Sequence, residues 1–404
     1  MKRLLLALPF ALPLPLLALA APAALAATVR IGAPAVLSGS TAEIGQTALQ
    51  GLQMAVDEIN AAGGLLGDKI AIDKADDAGS PATANTVTRN MILNDGVKAV
   101  FGASNSGTGA AEERLAGQYK LPMMFYGGND ISLTTTNFNK YAFQLAPSTY
   151  MEPRAVAEYV AKEHVQRIFT ITPDYNFGRS YVTNFVNGLK EQGIKADVVG
   201  QQYPPLGTTD FSSYISAAMA TKPDFLFMGM FSGDLITFIR QGKGYGLFDK
   251  THVGGPTGTD IVEAMKGDTP AGMVLWARAP FFAMKSPGIA DFVKKYHDQY
   301  NRWPSEWPVL AYASVQVWAD GVRKAHSFDG TKVSEALSGG TFDTIRGKLT
   351  LRACDHQADA PVYVGRAAAK LDPRYGFPVL DDVFTSDPAK TMMPCAEAEK
   401  LQHH

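Results

Sequence analysis

Small polar side chains cluster where an apolar run gives way to a helix-like segment in VKAVFGASNSGTGAAE, residues 97–112. Ser104, Asn105, Ser106 and Thr108 lie close together there, interspersed with glycine. Hydroxyls beside the unpaired N–H groups of a helix start can hold a carboxylate. The loop contains no lysine or arginine, so such an anion would be held by dipoles and not by a countercharge. The same residues suit a plain βα turn in which a Ser or Thr caps the helix. A second loop, Tyr126-Gly127-Gly128-Asn129-Asp130, combines glycines that let backbone approach a ligand with an amide that both donates and accepts. Two more loops place aromatic rings at the ends of apolar runs, Asp174-Tyr175-Asn176-Phe177-Gly178 and Met230-Phe231-Ser232-Gly233. Phe177 and Phe231 fit core packing as well as a ligand wall.

Catalytic signatures are weak. The seven histidines show no metal-ligand spacing apart from the terminal pair His403-His404. Gly102-Ala103-Ser104-Asn105-Ser106 lacks the final glycine of a nucleophile elbow, and no phosphate-binding glycine motif opens a helix. Neither an enzyme nor a cofactor is expected. With 37 basic and 39 acidic residues the net charge is -2, which leaves no basic footprint for nucleic acid.

The elements that must position these loops alternate regularly. Strands are predicted at 29–33, 69–74, 99–102, 122–125, 167–172, 196–199, 225–229, 252–254 and 273–276. Helices are predicted at 46–60, 81–94, 110–120, 151–163, 179–191, 211–220 and 234–242. Apolar strands alternating with helices argue for α/β architecture, with parallel sheets covered on both faces. A chain of 404 residues suggests two domains. The expected seams are 143–147 and 276–280. Helices at 289–301 and 309–326 would pack back on the first lobe. Trp303-Pro304 and Trp307-Pro308 read as a connector held by aromatic packing, not as ligand contacts. Residues 342–352 look like an extended third crossing, and the tail from Cys354 would finish the second lobe. Lobe 1 is thus expected over 28–146 and 278–350, lobe 2 over 147–277 and 351–404.

Lys2 and Arg3, an apolar run over 4–19 and Ala24-Leu25-Ala26 form an export signal, expected as residues 1–26 with cleavage after Ala26. Pro9, Pro13 and Pro15 argue against a membrane anchor. No cysteine lies near the cleavage site, so a soluble periplasmic form is expected. Cys354 and Cys395 are the two cysteines, and an isolated pair in an oxidising compartment favours a disulfide.

The segment from Val29 to Asp77 carries a longer signal. Ser38-Gly39, Gly45, Gly51, the run Glu58-Ile59-Asn60-Ala61-Ala62-Gly63-Gly64 and Asp76-Asp77 fall in one order. This pattern resembles the opening of the periplasmic solute-binding proteins of branched-chain amino-acid ABC transporters. The resemblance implies two doubly wound lobes joined by a three-stranded hinge, the type I periplasmic binding protein fold. It further implies a small carboxylate-bearing ligand, an ABC permease in the inner membrane as partner, and a monomer. By resemblance the anion loop holds the ligand carboxylate, with Ser106 as principal serine, and Asn129 is the counterpart of a hydroxyl residue. Tyr126, Gly127 and Gly128 flank it, while Asp174, Tyr175, Phe177 and Phe231 face them from lobe 2.

Departures from the pattern are informative. Thr257 stands in Gly255-Pro256-Thr257-Gly258 where the family has the glutamate that binds the ligand ammonium. Either Asp260, Asp174 or Asp130 takes over, or the ligand has no amine. Ile44 and Phe177 replace phenol hydroxyls, which predicts a more apolar pocket for an amino acid or an apolar or aromatic organic acid. Gly79 and Asn105 occupy the positions of the family disulfide. A rival reading within the same fold is a ligand sensor feeding a membrane receptor; export without a fused signalling domain favours transport.

Overall fold

The computed structural model describes residues 27–163 and 165–403. The expected signal over 1–26 lies outside them. In chain order the elements are β1 (Thr28–Ala35), α1 (Ala42–Ala61), β2 (Lys69–Asp76), α2 (Pro81–Asn90), β3 (Val100–Gly102), α3 (Ser106–Tyr119), β4 (Met123–Phe125) and β5 (Ala142–Gln144). These are followed by α4 (Met151–Val160), β6 (Arg167–Ile171), α5 (Asn176–Glu191), β7 (Asp197–Gln202), α6 (Ser212–Thr221), β8 (Phe225–Met228), α7 (Ser232–Gly244), β9 (His252–Pro256), α8 (Thr259–Met265) and β10 (Val274–Ala277). The chain closes with α9 (Ile289–Tyr300), α10 (Glu306–Ala325), α11 (Gly330–Leu337), β11 (Thr341–Thr344), β12 (Gly347–Thr350), β13 (Tyr363–Ala367), β14 (Leu380–Thr385), α12 (Pro388–Thr391) and α13 (Cys395–Gln402).

Two sheets result. The first is wholly parallel in the order β2-β1-β3-β4-β5. The second runs β14-β13-β10-β9-β8-β6-β7, parallel except for β13 and β14. Apolar residues face both sides of the central strands, so Ile31, Phe101, Phe125, Phe169, Phe225 and Phe227 are all buried. No helix among the described residues is long and apolar enough to cross a membrane.

α10 packs along α1. Gly51 of α1 lies against the start of α10, where a Cβ would stand 2.2 Å from the Pro308 carbonyl oxygen. The backbones approach too closely there for any side chain.

Residues 342–352 differ from expectation. They form an antiparallel hairpin, β11 with β12, and not a single extended crossing. The passage comes later, where Gln144 N–H donates to the His356 carbonyl (3.0 Å) and Ala358 N–H donates to the Gln144 carbonyl (2.8 Å). Arg346, in the hairpin turn, reaches the carbonyls of Leu145 (2.6 Å) and Arg278 (3.3 Å). Gln357 donates to the Ala146 carbonyl (2.8 Å). Three chain segments are thereby laced together between the lobes.

Cys354 and Cys395 form a disulfide. It fixes a C-terminal tail whose α12 packs on α4 of lobe 2. Gln402, at the end of α13, donates to the Cys354 carbonyl (2.8 Å) and the Thr134 carbonyl of lobe 1 (3.3 Å).

Candidate functional site

The carboxyl ends of strands from both sheets converge on one cavity. Lobe 1 contributes Ile44, Ser104, Asn105, Ser106, Gly127, Gly128 and Asn129. Lobe 2 contributes Tyr175, Phe177, Phe231, Ser232, Pro256, Gly258, Asp260 and Ile261. Arg278, just after β10, and Glu306 and Trp307, at the start of α10, complete the lining.

The anion loop is built by a division of labour. The Asn105 side-chain oxygen caps α3, accepting from the N–H groups of Gly107 (2.9 Å) and Thr108 (3.0 Å). Two of the donors expected to be free at this helix start are therefore used internally. The cap begins the helix at Ser106, earlier than the predicted 110. The Asn105 amide also donates to the Gly79 carbonyl (3.1 Å), so a hydrogen bond joins the anion loop to the turn after β2. The Ser106 hydroxyl oxygen accepts from the N–H groups of Asn129 (3.2 Å) and Asp130 (3.0 Å). Those two bonds occupy its acceptor side and leave its own hydrogen to donate. Asn129 spends its amide hydrogens on the Pro147 carbonyl (2.7 Å) and Glu152 (3.0 Å).

The opposite wall is aromatic. Tyr175 stacks on Phe177 with centroids 5.6 Å apart, and Phe231 meets Phe177 edge-on at 5.7 Å. Trp307 lies under the Arg278 guanidinium, 5.4 Å from it.

Four expected site residues do not line the cavity. Tyr126 is wholly buried beneath the anion loop, and Thr108 turns its hydroxyl back to the Asn105 carbonyl. Thr257 directs its hydroxyl to the Gly255 carbonyl. Asp174 pairs with Arg179 at the surface. All four sit on the expected loops, but strand and helix geometry turns their side chains elsewhere.

Charge enters from residues the loops did not advertise. Arg278 donates from Nε to Glu152 (2.6 Å) and from a terminal nitrogen to the Gly127 carbonyl (2.8 Å), while its backbone N–H donates to Glu306 (2.8 Å). Burial opposes its charge, but Glu152 and Glu306 outweigh burial and hold the guanidinium protonated. Glu152 also accepts from the Tyr181 hydroxyl, which in turn accepts from the Trp276 indole N–H (2.7 Å). Burial, reinforced by Glu306 and Glu43, pushes the Asp260 carboxyl up to about 7. An arginine inside the apolar run Leu275-Trp276-Ala277-Arg278-Ala279-Pro280 was a legible signal for a buried cation. Glu306 and Trp307 carried no such mark, and Trp307 is a cavity residue, contrary to the packing role expected for it.

Two α/β lobes, three linking segments and a cavity closed between strand ends define a hinged solute-binding clamp. The chain belongs to the periplasmic binding protein family, whose pattern matches residues 28–371, and is similar to its leucine/isoleucine/valine-binding members. Members of this family bind solutes for transport and are not enzymes. The chain is 28% identical over 325 residues to the leucine-, isoleucine-, valine-, threonine- and alanine-binding protein of Pseudomonas aeruginosa, covering 80% of this chain and 85% of that one. A periplasmic binding protein from Burkholderia mallei superposes with a TM-score of 0.85 at 23% identity, covering 92% and 98% of the two chains. A solute-binding protein from Rhodopseudomonas palustris, solved with 3,4-dihydroxybenzoic acid, gives 0.80 at 21% identity over 90% and 99%.

Proposed function

We propose that this protein is the extracytoplasmic substrate-binding component of an ABC importer, exported to the periplasm by a leader over 1–26. It captures a small carboxylate-bearing solute with an apolar body and presents the closed form to a permease in the inner membrane. The observation that carries this reading is the Ser106 hydroxyl, which accepts two backbone N–H bonds and keeps its hydrogen for an anion in the cavity. Arg278 adds a buried positive charge nearby, and Ile44, Phe177, Phe231 and Ile261 supply apolar surface for the rest of the solute. The relative from Pseudomonas aeruginosa is a leucine-, isoleucine-, valine-, threonine- and alanine-binding protein, and the one from Rhodopseudomonas palustris was solved with 3,4-dihydroxybenzoic acid. These ligands share a carboxylate, which is the head group proposed here.

Ligand binding shifts an open–closed equilibrium by its greater affinity for the closed form. A thermal-shift screen of apolar amino acids against aromatic and aliphatic acids identifies the ligand class, since a ligand that binds only the folded state raises the melting temperature. Calorimetry on the hit then tests the site. Ser106→Ala is expected to weaken binding by roughly 1–3 kcal/mol, the worth of a hydrogen bond to a charged group. Unchanged affinity would remove Ser106 from the site.

A further inference from the structure

We propose that Tyr375 clasps the two lobes together outside the cavity and is a positioning residue for capture: it favours the closed form without touching the solute. The proposal rests on the hinged-clamp reading above and adds to it a determinant of closure remote from the ligand.

Tyr375 lies in the loop between β13 and β14, two strands of the second sheet. That loop is a preformed turn. The Asp372 side chain accepts from the Arg374 N–H (2.8 Å) and pairs with the Arg374 guanidinium at 2.7 Å, while the Asp372 carbonyl accepts from the Gly376 N–H (2.8 Å). Phe377, wholly buried, anchors the loop and stacks on Tyr375 with centroids 5.7 Å apart. The Tyr375 ring then meets Trp303 edge-on at 5.0 Å and Phe281 edge-on at 5.2 Å.

Trp303 is fixed to the other lobe. It follows α9, which is bound to α1 through the Lys295–Glu58 pair (2.8 Å) and through the Tyr296 hydroxyl donating to Gln50. His297 of α9 packs on the Trp303 ring at 4.2 Å. The contact between Tyr375 and Trp303 therefore crosses from one lobe to the other. It does so on the side of the mouth, since the preceding residue, Arg302, already faces Glu263 of lobe 2 at 3.8 Å. Neither ring lines the cavity.

Tyr375 and Trp303 are both only half-buried, unlike the enclosed Phe377, so the pair is not part of a closed core. Lobes that part at the mouth draw one ring off the other and wet both faces. Burial and edge-on pairing are then lost together, and each favours the closed form. A contact made only on closing raises the closed population for every solute alike. It slows release and leaves entry into the open form untouched.

The test compares the full mature wild type with Tyr375→Ala, Tyr375→Phe and Trp303→Ala, with circular dichroism verifying each fold. Small-angle X-ray scattering without solute reads closure directly. Tyr375→Ala and Trp303→Ala are expected to show a larger radius of gyration than the wild type, and Tyr375→Phe, which keeps the ring, to match it. Stopped-flow fluorescence with leucine and with 3,4-dihydroxybenzoate as probes then separates the rates. The alanine variants are expected to release a bound probe about three- to tenfold faster, with association little changed. A radius for Tyr375→Ala equal to that of the wild type overturns the proposal, as does a Tyr375→Phe that behaves like Tyr375→Ala. Affinity lost through slower association at an unchanged release rate overturns it too. Trp303→Ala, acting from the opposite lobe, decides the matter if the tyrosine variant does not fold. A wild type that binds neither probe counts against the carboxylate reading alone, because the scattering comparison needs no solute.

Discussion

Ser106 and Asn105 are neighbours of similar polarity with opposite assignments: one keeps a free donor facing the cavity, the other is consumed in capping the helix. Residue types marked the loop, but the turn that orients each side chain depends on where the helix starts, and that was misjudged by four positions. Buried carboxyls illustrate the same limit. Asp77 and Glu112 are fully buried, and Glu112 has no hydrogen-bond partner on either oxygen. Burial raises both; Asp77 reaches about 6 against an ordinary 3.8. The folded state therefore keeps a proton where the unfolded chain has lost it. Stability from this pair is complete below about pH 4 and falls as pH rises towards 6, by on the order of 2–3 kcal/mol for Asp77. Asp77→Asn keeps an oxygen for the Gly79 N–H and removes the penalty. Urea midpoints at pH 4.5 and 7.5 should differ less for the variant than for the wild type; an equal difference would refute this source of pH dependence.

At the scale of elements, regular patterns were legible and irregular ones were not. The parallel strands announce themselves as apolar runs because both faces are covered, and α1 shows its buried stripe through Leu52 and Val56. β14, LDDVFT, lies at a sheet edge with most of its residues exposed, so no apolar run marks it. β11 and β12 are four residues each, and a hairpin that short is easily read as one extended segment. Helix contact also left a trace: Gly51 in the middle of α1 is unfavourable for the helix alone and is explained by Pro308 of α10. Gly51→Ala is expected to cost about 1–3 kcal/mol by overpacking, outweighing the gain in helix propensity. Thermal denaturation checks this; a stabilised variant would mean that α10 can move aside.

Across the whole molecule, closure is held at the cavity mouth as well as inside it. Arg302, between α9 and α10, pairs with Glu43 of lobe 1 and lies 3.8 Å from Glu263 of lobe 2. The Ser232 hydroxyl of lobe 2 reaches the Ser40 carbonyl of lobe 1 at 3.4 Å. These partners are distant in sequence and in different lobes, so no local pattern could have paired them. Arg302 is partly exposed, and its bridges are each worth about 0.2–1 kcal/mol. Arg302→Ala is expected to lower ligand affinity about two- to fivefold at low salt through faster release, an effect that fades near 0.5 M salt as screening takes over. Surface plasmon resonance at two ionic strengths measures it, and a salt-independent loss would point to misfolding instead of a lost latch.

The disulfide-held tail gives this machine a direction. Because α12 rests on one half and Gln402 on the other, beside the linking segments, the joint is bandaged along its spine. A jaw braced on its back can gape only at the front, so any opening would bring the same two rims back into register on closing.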